Sequence, residues 1–584
     1  MGNLTKSQPN NIASPDGNGL AIYVDGITGA LMLKDINGNI QPLSSYVPTP
    51  PPPSENPFEY GCSATSIKPV KPTGYNNQTC GNYSSVLGGY NNEFGNCSTI
   101  FGGIYNLASS ENNFIGGGCC NYLSTSPESL ILGGFCNVIR NPLSVILGGG
   151  CNSSYCSQAS NFASCNNSIG GGAGNSVLNY RGTLIGGNSN FICGACSFIG
   201  GGKNNTTEIS QSNSVIFGGC NNHACCGAKS GIIVGGINNI INSCKSIILG
   251  GCCNSITSGS NNVIVNGIYN CSLGSCNFIG NGCGNKINNS SSFIGHGIQN
   301  NLSLGFDSVI VNGAFNNCCF PEKNGNLFIG GGSNNSANYF SAVVNGRQNN
   351  SCQYKSIIFS GICNQIKGTG QKSVIGSGSS NNIDTDLSHS VIFSGVSNQL
   401  KGCSASIGGG SANQICNTYN CASIIFGGIA NIFLDGNFST IVGGCNNIIN
   451  SNGAVIGGGD SNYICSPASV IVGGKQNCIL NANYSVVFGG QFNFACCQNN
   501  FIAGKCNSAC YNSSILGSYN ISDYCGAYNS IIGKGITANR RCATFINNLS
   551  IKNIVTDPTG CPAGTVWASY KVGDCCGLAE LKIV

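Results

Sequence analysis

Charge is what this chain most lacks. Its 584 residues include only 24 basic and 19 acidic ones, 7 % in all, against roughly 25 % in an ordinary globular protein. That leaves little material for acid–base chemistry, so neither an enzyme activity nor a cofactor is expected. The net charge is +5, and Arg540-Arg541 is the one adjacent arginine pair. With no basic stripe, nucleic acid is not an expected partner. Histidine is limited to His223, His296 and His389, and tryptophan to Trp567. No apolar run is long enough to cross a bilayer as a helix, so membrane insertion is not expected. The opening Met1-Gly-Asn-Leu-Thr-Lys-Ser-Gln-Pro9 has no apolar core of a secretory signal, and Lys6 stands where a myristoylation motif wants Ser or Thr. Proline totals 17 and Gly does not recur every third residue, which excludes collagen. Disorder is excluded in turn by Ile, Val and Phe at nearly every repeat.

Glycine and cysteine are plentiful instead, at 88 and 39 residues. A Gly-Gly pair with Asn three residues after its second Gly recurs in Ile-Leu-Gly-Gly-Phe-Cys-Asn137, Ile-Leu-Gly-Gly-Gly-Cys-Asn152, Ile-Leu-Gly-Gly-Cys-Cys-Asn254 and Val-Phe-Gly-Gly-Gln-Phe-Asn493. About 29 copies, exact or degenerate, lie between Gly88 and Gly533, one every ~16 residues. So short a period cannot hold a helical hairpin. It fits a turn of an all-β parallel β-solenoid, or β-roll. The consensus Ser-Val-Ile-x-Gly-Gly-x-x-Asn-x-Ile predicts a first strand over Ser-Val-Ile-x, a corner at Gly-Gly where positive φ or close approach disfavours side chains, and a second strand over x-x-Asn-x-Ile. A variable polar stretch closes the turn. With one copy per turn, 29 copies stack to roughly 140 Å at ~4.8 Å each; with two copies per turn, to half that.

Asn137, Asn152, Asn254, Asn364, Asn431, Asn477 and Asn493 mark the fixed asparagine position. Identical amides stacked one strand spacing apart can hydrogen-bond as a ladder, which is the structural reading. Ligand recognition by an asparagine face is the alternative.

Four segments are expected. Residues 1–47 form an N-terminal β attachment module of two or three strands, with hairpin-type turns at Asp25-Gly26 and Asn37-Gly38. Residues 48–80 are a Pro-rich linker and lead-in, stiff over Pro48–Ser54. The array occupies 81–540, and 541–584 form a β cap containing Trp567.

Adjacent cysteines fall at Cys119-Cys120, Cys225-Cys226, Cys252-Cys253, Cys318-Cys319, Cys496-Cys497 and Cys575-Cys576. On a strand, neighbours face opposite ways, so each pair is expected to send one sulfur inward and one outward. These twelve are candidates for disulfides between turns or chains. Reduced, buried thiols and metal ligation are the alternatives. Cys193-Gly-Ala-Cys196 has no second pair at zinc-site spacing, and no metal site is expected. Gly-Gly-x-Gly-x-Asp calcium rolls are excluded because Asp is nearly absent from these corners, and hexapeptide acyltransferases by the period. Asp384 and Asp386 read as a solvated loop rather than a glycosidase pair. Sequons such as Asn152, Asn204 and Asn548 matter only in a glycosylating compartment.

The repeat Asn-Ser-Val-Ile-x-Gly-Gly-x-x-Asn resembles the head repeats of trimeric autotransporter adhesins over about 460 residues. That resemblance implies a β-roll packed as a homotrimer. The chain departs from the family in having no recognisable signal, coiled-coil stalk or membrane barrel. Its ends, Asp25-Gly-Ile-Thr-Gly-Ala-Leu-Met-Leu-Lys-Asp-Ile-Asn-Gly and Gly564-Thr-Val-Trp567 with Leu-Lys-Ile-Val584, are similar to modules of virus and phage tail-fibre-like proteins. The resemblance implies a virion-surface or extracellular fibre, fixed to the particle through 1–47, that binds a host-surface glycan or protein receptor. The alternative is an extracellular filament or sheath subunit that polymerises end to end and is cross-linked by cysteines.

Overall fold

The computed structural model describes residues 77–547 except 80–81, 156–165, 209–211, 226, 304, 319–324, 387, 417–420 and 524–527. It also describes the strands Lys6–Ser7, Ala21–Asp25, Leu31–Lys34, Ile40–Pro42, Phe58–Tyr60, Ile67–Pro69, Val566–Ser569 and Glu580–Ile583. The expected turns at 25–26 and 37–38 fall wholly or partly outside these residues.

The described residues contain strands and turns but no helix. They form a parallel β-solenoid of about 29 turns, divided between two compact units, Met1–Gly297 and Ile298–Val584. In the first unit one sheet stacks fourteen two-residue strands from Ser85–Val86 to Phe293–Ile294. In the second unit the equivalent sheet stacks sixteen, from Val309–Ile310 to Thr544–Ile546. A second parallel sheet runs alongside in each, through strands such as Val138–Ile139 and Tyr463–Cys465. Val145 pairs with Leu130, the same position one copy earlier. Each Gly-Gly copy is therefore one full turn. The offset between paired strands runs from 13 residues, Phe501 to Ser514, to 23, Val145 to Ser168.

Before the first stack, Phe58–Tyr60 and Ile67–Pro69 form an antiparallel hairpin, and Ile67 pairs in parallel with Ser85. The sheet's starting edge is thereby covered, as a solenoid end requires. Further N-terminal, Ala21–Asp25, Leu31–Lys34 and Ile40–Pro42 form an antiparallel meander, with Lys6–Ser7 added in parallel. Near the C-terminus, Val566–Ser569 and Glu580–Ile583 pair antiparallel, Trp567 opposite Lys582.

The two-residue strands of both stacks turn one side chain inward. Ile131, Ile146 and Ile169 line the interior from the first sheet and Leu123, Ile139 and Val177 from the second, all 0–1 % exposed. Fully burying such a side chain contributes about 1.5–3 kcal/mol, so two per turn drive stacking, and β-branched residues suit this pleated, crowded surface. The corner differs from expectation in one respect. The second strand does not run through x-x-Asn-x-Ile, because the residue before the Asn is left-handed: Cys136 and Cys151 both have φ 54°. That corner splits the segment into a single bridge residue, Phe135 paired with Gly150, and the strand after the Asn. A second left-handed corner, at Leu143 (φ 57°), precedes the next first strand. Both are held by N–H bonds back to the previous turn, from Cys136 to Cys119 O (2.9 Å) and from Leu143 to Pro127 O (3.1 Å).

Of the two glycines only the second is sterically required. At Gly134, with φ +95°, an added Cβ would stand 2.0 Å from Gly149 O of the next turn, whereas at Gly133 it would meet nothing within 4 Å.

Candidate functional site

The asparagine position builds one continuous column inside each unit. The seven residues named from sequence, Asn137, Asn152, Asn254, Asn364, Asn431, Asn477 and Asn493, all lie in it at 0–1 % exposure. Asn137 shows the pattern. Its Nδ2 donates to Gly133 O in its own turn (3.0 Å) and to Gly149 O in the next (3.0 Å). Its Oδ1 accepts from the backbone N–H of Asn152 (3.1 Å) and from Asn152 Nδ2 (3.1 Å). The same forward reach recurs from Asn364 to Asn381 and from Asn477 to Asn493. Both amide hydrogens and the carbonyl oxygen are thus engaged inside the solenoid. The alternative of an asparagine face presented to a ligand does not hold, because the amides are buried and saturated.

A second polar column was not foreseen. The Ser that opens the consensus is buried as well, at Ser98, Ser129, Ser144 and Ser439 among others. Ser98 Oγ donates to Ser110 O (2.8 Å) and accepts from the Asn113 N–H (3.2 Å). The consensus carried the signal: a residue two places before an inward Ile faces the same way on an extended chain.

No disulfide joins any two of the 29 described cysteines, so the expected disulfides are not formed among the described residues. Two geometries explain this. Neighbouring Cα atoms are 3.8 Å apart, short of the 4.4–6.8 Å a disulfide spans. Cysteines matched in successive turns have Cα atoms about 4.8 Å apart, inside that range, but their parallel side chains keep the Cβ atoms beyond the ~3.8 Å separation of a disulfide. The inward–outward expectation fails at two of the pairs. Cys119 and Cys120 both lie outside, their sulfurs 3.3 Å apart, as do Cys252 and Cys253 at 3.1 Å, because the second member is left-handed (φ 56° and 59°) rather than extended. The Cys120 thiol is pushed up to about 11, first by its hydrogen bond with Cys119, then by burial and the neighbouring thiols of Cys119 and Cys136. Cys318 is fully buried at an inward strand position and Cys225 is half-buried. Cys226, Cys319, Cys575 and Cys576 lie outside the described residues.

Among the described residues two clusters bring metal-binding side chains together. Glu208, His223 and Cys225 form one, with His223 Nε2 2.8 Å from Glu208 Oε1. Cys496, Cys497 and Cys510 form the other; burial and then a hydrogen bond with Cys496 raise the Cys510 thiol above its ordinary range. Asp386 is exposed and accepts from the Thr369 N–H (3.1 Å) and Oγ1 (3.0 Å), bonds that lower its pKa.

The outer face of the first sheet is apolar. The residue after the inward Ile points outward, giving Leu87, Phe101, Leu132, Leu147, Ile185, Phe217, Val234 and Leu249 in the first unit, 40–57 % exposed. In the second unit Phe359, Phe393, Phe426 and Phe488 are 50–63 % exposed, with Gly376 and Gly408 between the first three, Val442 and Val472 before Phe488, and Leu516 and Ile532 beyond it.

No protein-family model matches the sequence, and a search of curated proteins finds no match.

Proposed function

We propose that the chain is a fibrous attachment protein that works as a homotrimer, a viral tail fibre or spike fixed to the particle through residues 1–47 and adhering to host-surface glycans. The observation that carries this reading is the outward apolar column of the first sheet. A Phe side chain presents about 200 Å², so the four half-exposed Phe of the second unit alone leave roughly 400 Å². Val442, Val472, Leu516 and Ile532 extend the column past the 300–600 Å² or so of the largest apolar patch on an ordinary monomer. A column that recurs along the stack, with Gly at the same position in turns such as Gly376, Gly408 and Gly457, is matched best by the same column on another copy. Three copies packed this way would leave the variable stretches outermost, where weak contacts with a receptor sum by avidity and need no catalytic group.

Analytical ultracentrifugation of the full chain tests the assembly, and glycan-array binding tests the attachment. A trimer is expected, with Phe393→Lys/Phe426→Lys shifting it to folded monomer and reducing array binding. A wild-type chain that stays monomeric at micromolar concentration would refute the assembly. The outward thiols Cys120, Cys136 and Cys151, on three successive turns, favour the filament reading instead if the chain forms open-ended polymers that reductant dissolves.

A further inference from the structure

Thiols are scattered along both units, and among the described residues one trio has all three sulfurs within 4.8 Å of one another. Strand Phe494–Ala495 is followed by Cys496 and Cys497, and strand Ser508–Ala509, one turn later, by Cys510. Ala495 pairs with Ala509, so Cys496 and Cys510 hold the same position in consecutive turns. The Cys496 N–H bond to Ala509 O (3.0 Å) fixes that register. Cys497 joins them because the chain bends away from the sheet over 497–499. All three side chains are half-buried, and their sulfurs lie within 4.8 Å of one another.

That spacing suits a metal better than a disulfide. Three sulfurs around one cation with bonds of ~2.3 Å stand about 4 Å apart, so closing on an ion needs shifts of less than about 1 Å. Thiolates select soft cations over Mg²⁺ or Ca²⁺. Ser522 pairs with Ala509, which puts Asp523 at the matching position one turn beyond Cys510 and adds negative potential on that side. We propose that Cys496, Cys497 and Cys510 form a binding site for one soft d10 cation held by three sulfurs. Binding exchanges three S–H bonds for three metal–sulfur bonds and releases three protons to solvent; no electron transfer is involved. The site does not depend on the attachment reading, since each copy supplies all three ligands.

The test is site-resolved alkylation of the reduced full-length protein, read by peptide mass spectrometry, with Cd(II) at one equivalent as the probe. Cd(II) should slow alkylation of Cys496, Cys497 and Cys510 together, roughly tenfold or more, because a metal-bound thiolate is withdrawn as a nucleophile. Cys363 and Cys445, half-buried elsewhere in the same unit, should label at unchanged rates. Cys510→Ser should abolish protection of Cys496 and Cys497, whereas Cys445→Ser should preserve it; circular dichroism checks that both variants are folded. Protection spread evenly over many cysteines would overturn the proposal. So would protection of Cys496 and Cys497 that survives Cys510→Ser, or a Cys496–Cys510 disulfide that persists in reductant.

Discussion

Asn334 and Asn335 are neighbours in sequence with opposite environments, and substituting each should separate a ladder amide from a surface one. Asn335 is 1 % exposed. Its Nδ2 donates to Gly331 O (2.9 Å) and Gly346 O (2.8 Å), and its Oδ1 accepts the Asn349 N–H at 3.0 Å. Asn335→Ala orphans that buried N–H, at a cost of about 1–3 kcal/mol, and removes two amide–carbonyl bonds worth about 1 kcal/mol each. The expected loss is about 3–5 kcal/mol. Asn334 is exposed at φ 55°, a conformation Gly adopts freely, so Asn334→Gly should stay within about 0.5 kcal/mol of the parent. Urea denaturation supplies both numbers, and hydrogen exchange at the Asn349 amide localises the effect. Turns interact chiefly with their neighbours, so exchange should rise near Asn349 before it rises at distant turns. Equal stability of the two variants, or an Asn349 amide as protected as in the parent, would refute the ladder as a source of stability.

Three further outcomes follow from the same geometry. Gly134→Ala should cost about 3–5 kcal/mol or prevent folding, because its Cβ would meet backbone that cannot yield, while Gly133→Ala should change the melting transition little; similar melts for the two would contradict the corner geometry. Cys119→Ala should bring the Cys120 thiol down from about 11 toward its ordinary value near 9, which the pH dependence of Cys120 alkylation reads directly, since only the thiolate reacts; an unmoved profile would mean that Cys119 is not the main cause. Adding one charge to the outer column, with Phe426→Lys alone, should weaken self-association without lowering the unfolding free energy of the monomer; a destabilised monomer would mean that the face packs against its own chain.

Much of the architecture is legible in the sequence because repetition amplifies weak signals. One Ile-Leu-Gly-Gly means little, but about 29 spaced copies fix a turn length, and the inward Ile and Asn positions follow from it. The same alternation, applied one residue further, would have shown that Leu132 and Phe359 face outward. At Cys136 and Leu143 the left-handed corner was hidden because neither residue carries turn chemistry of its own; cross-turn hydrogen bonds impose the conformation there. Cysteine was misleading for a related reason. The strand rule for neighbours assumes extended backbone, and at Cys120 and Cys253 the backbone is not extended. The convergence of Cys496, Cys497 and Cys510 depends on the 14-residue offset between Ala495 and Ala509, visible only once strand pairing is known.

The asparagine column also explains why the amide cannot be exchanged for its nearest isostere. Asparagine combines two donors with an acceptor on a short stem, and the turn uses both functions. Asp at 335 would still accept the Asn349 N–H but would bring negative charge against the Gly331 and Gly346 carbonyls, with no proton to offer them. Burial and these dipoles both disfavour the ionised form, so the folded pKa should rise above the unfolded value of ~3.9. A carboxyl raised on folding is protonated in both states at low pH. As pH climbs past the unfolded pKa the unfolded chain loses its proton first, and stability falls until the folded pKa is reached, by about 1.4 kcal/mol per pKa unit. Asn335→Asp should therefore lie closer to the parent at pH 4 than at pH 7 in paired urea melts, whereas Asn335→Ala should show the same deficit at both. A pH-independent deficit for the Asp variant would mean that this position is open to water and that the column is not the closed, saturated ladder its distances describe.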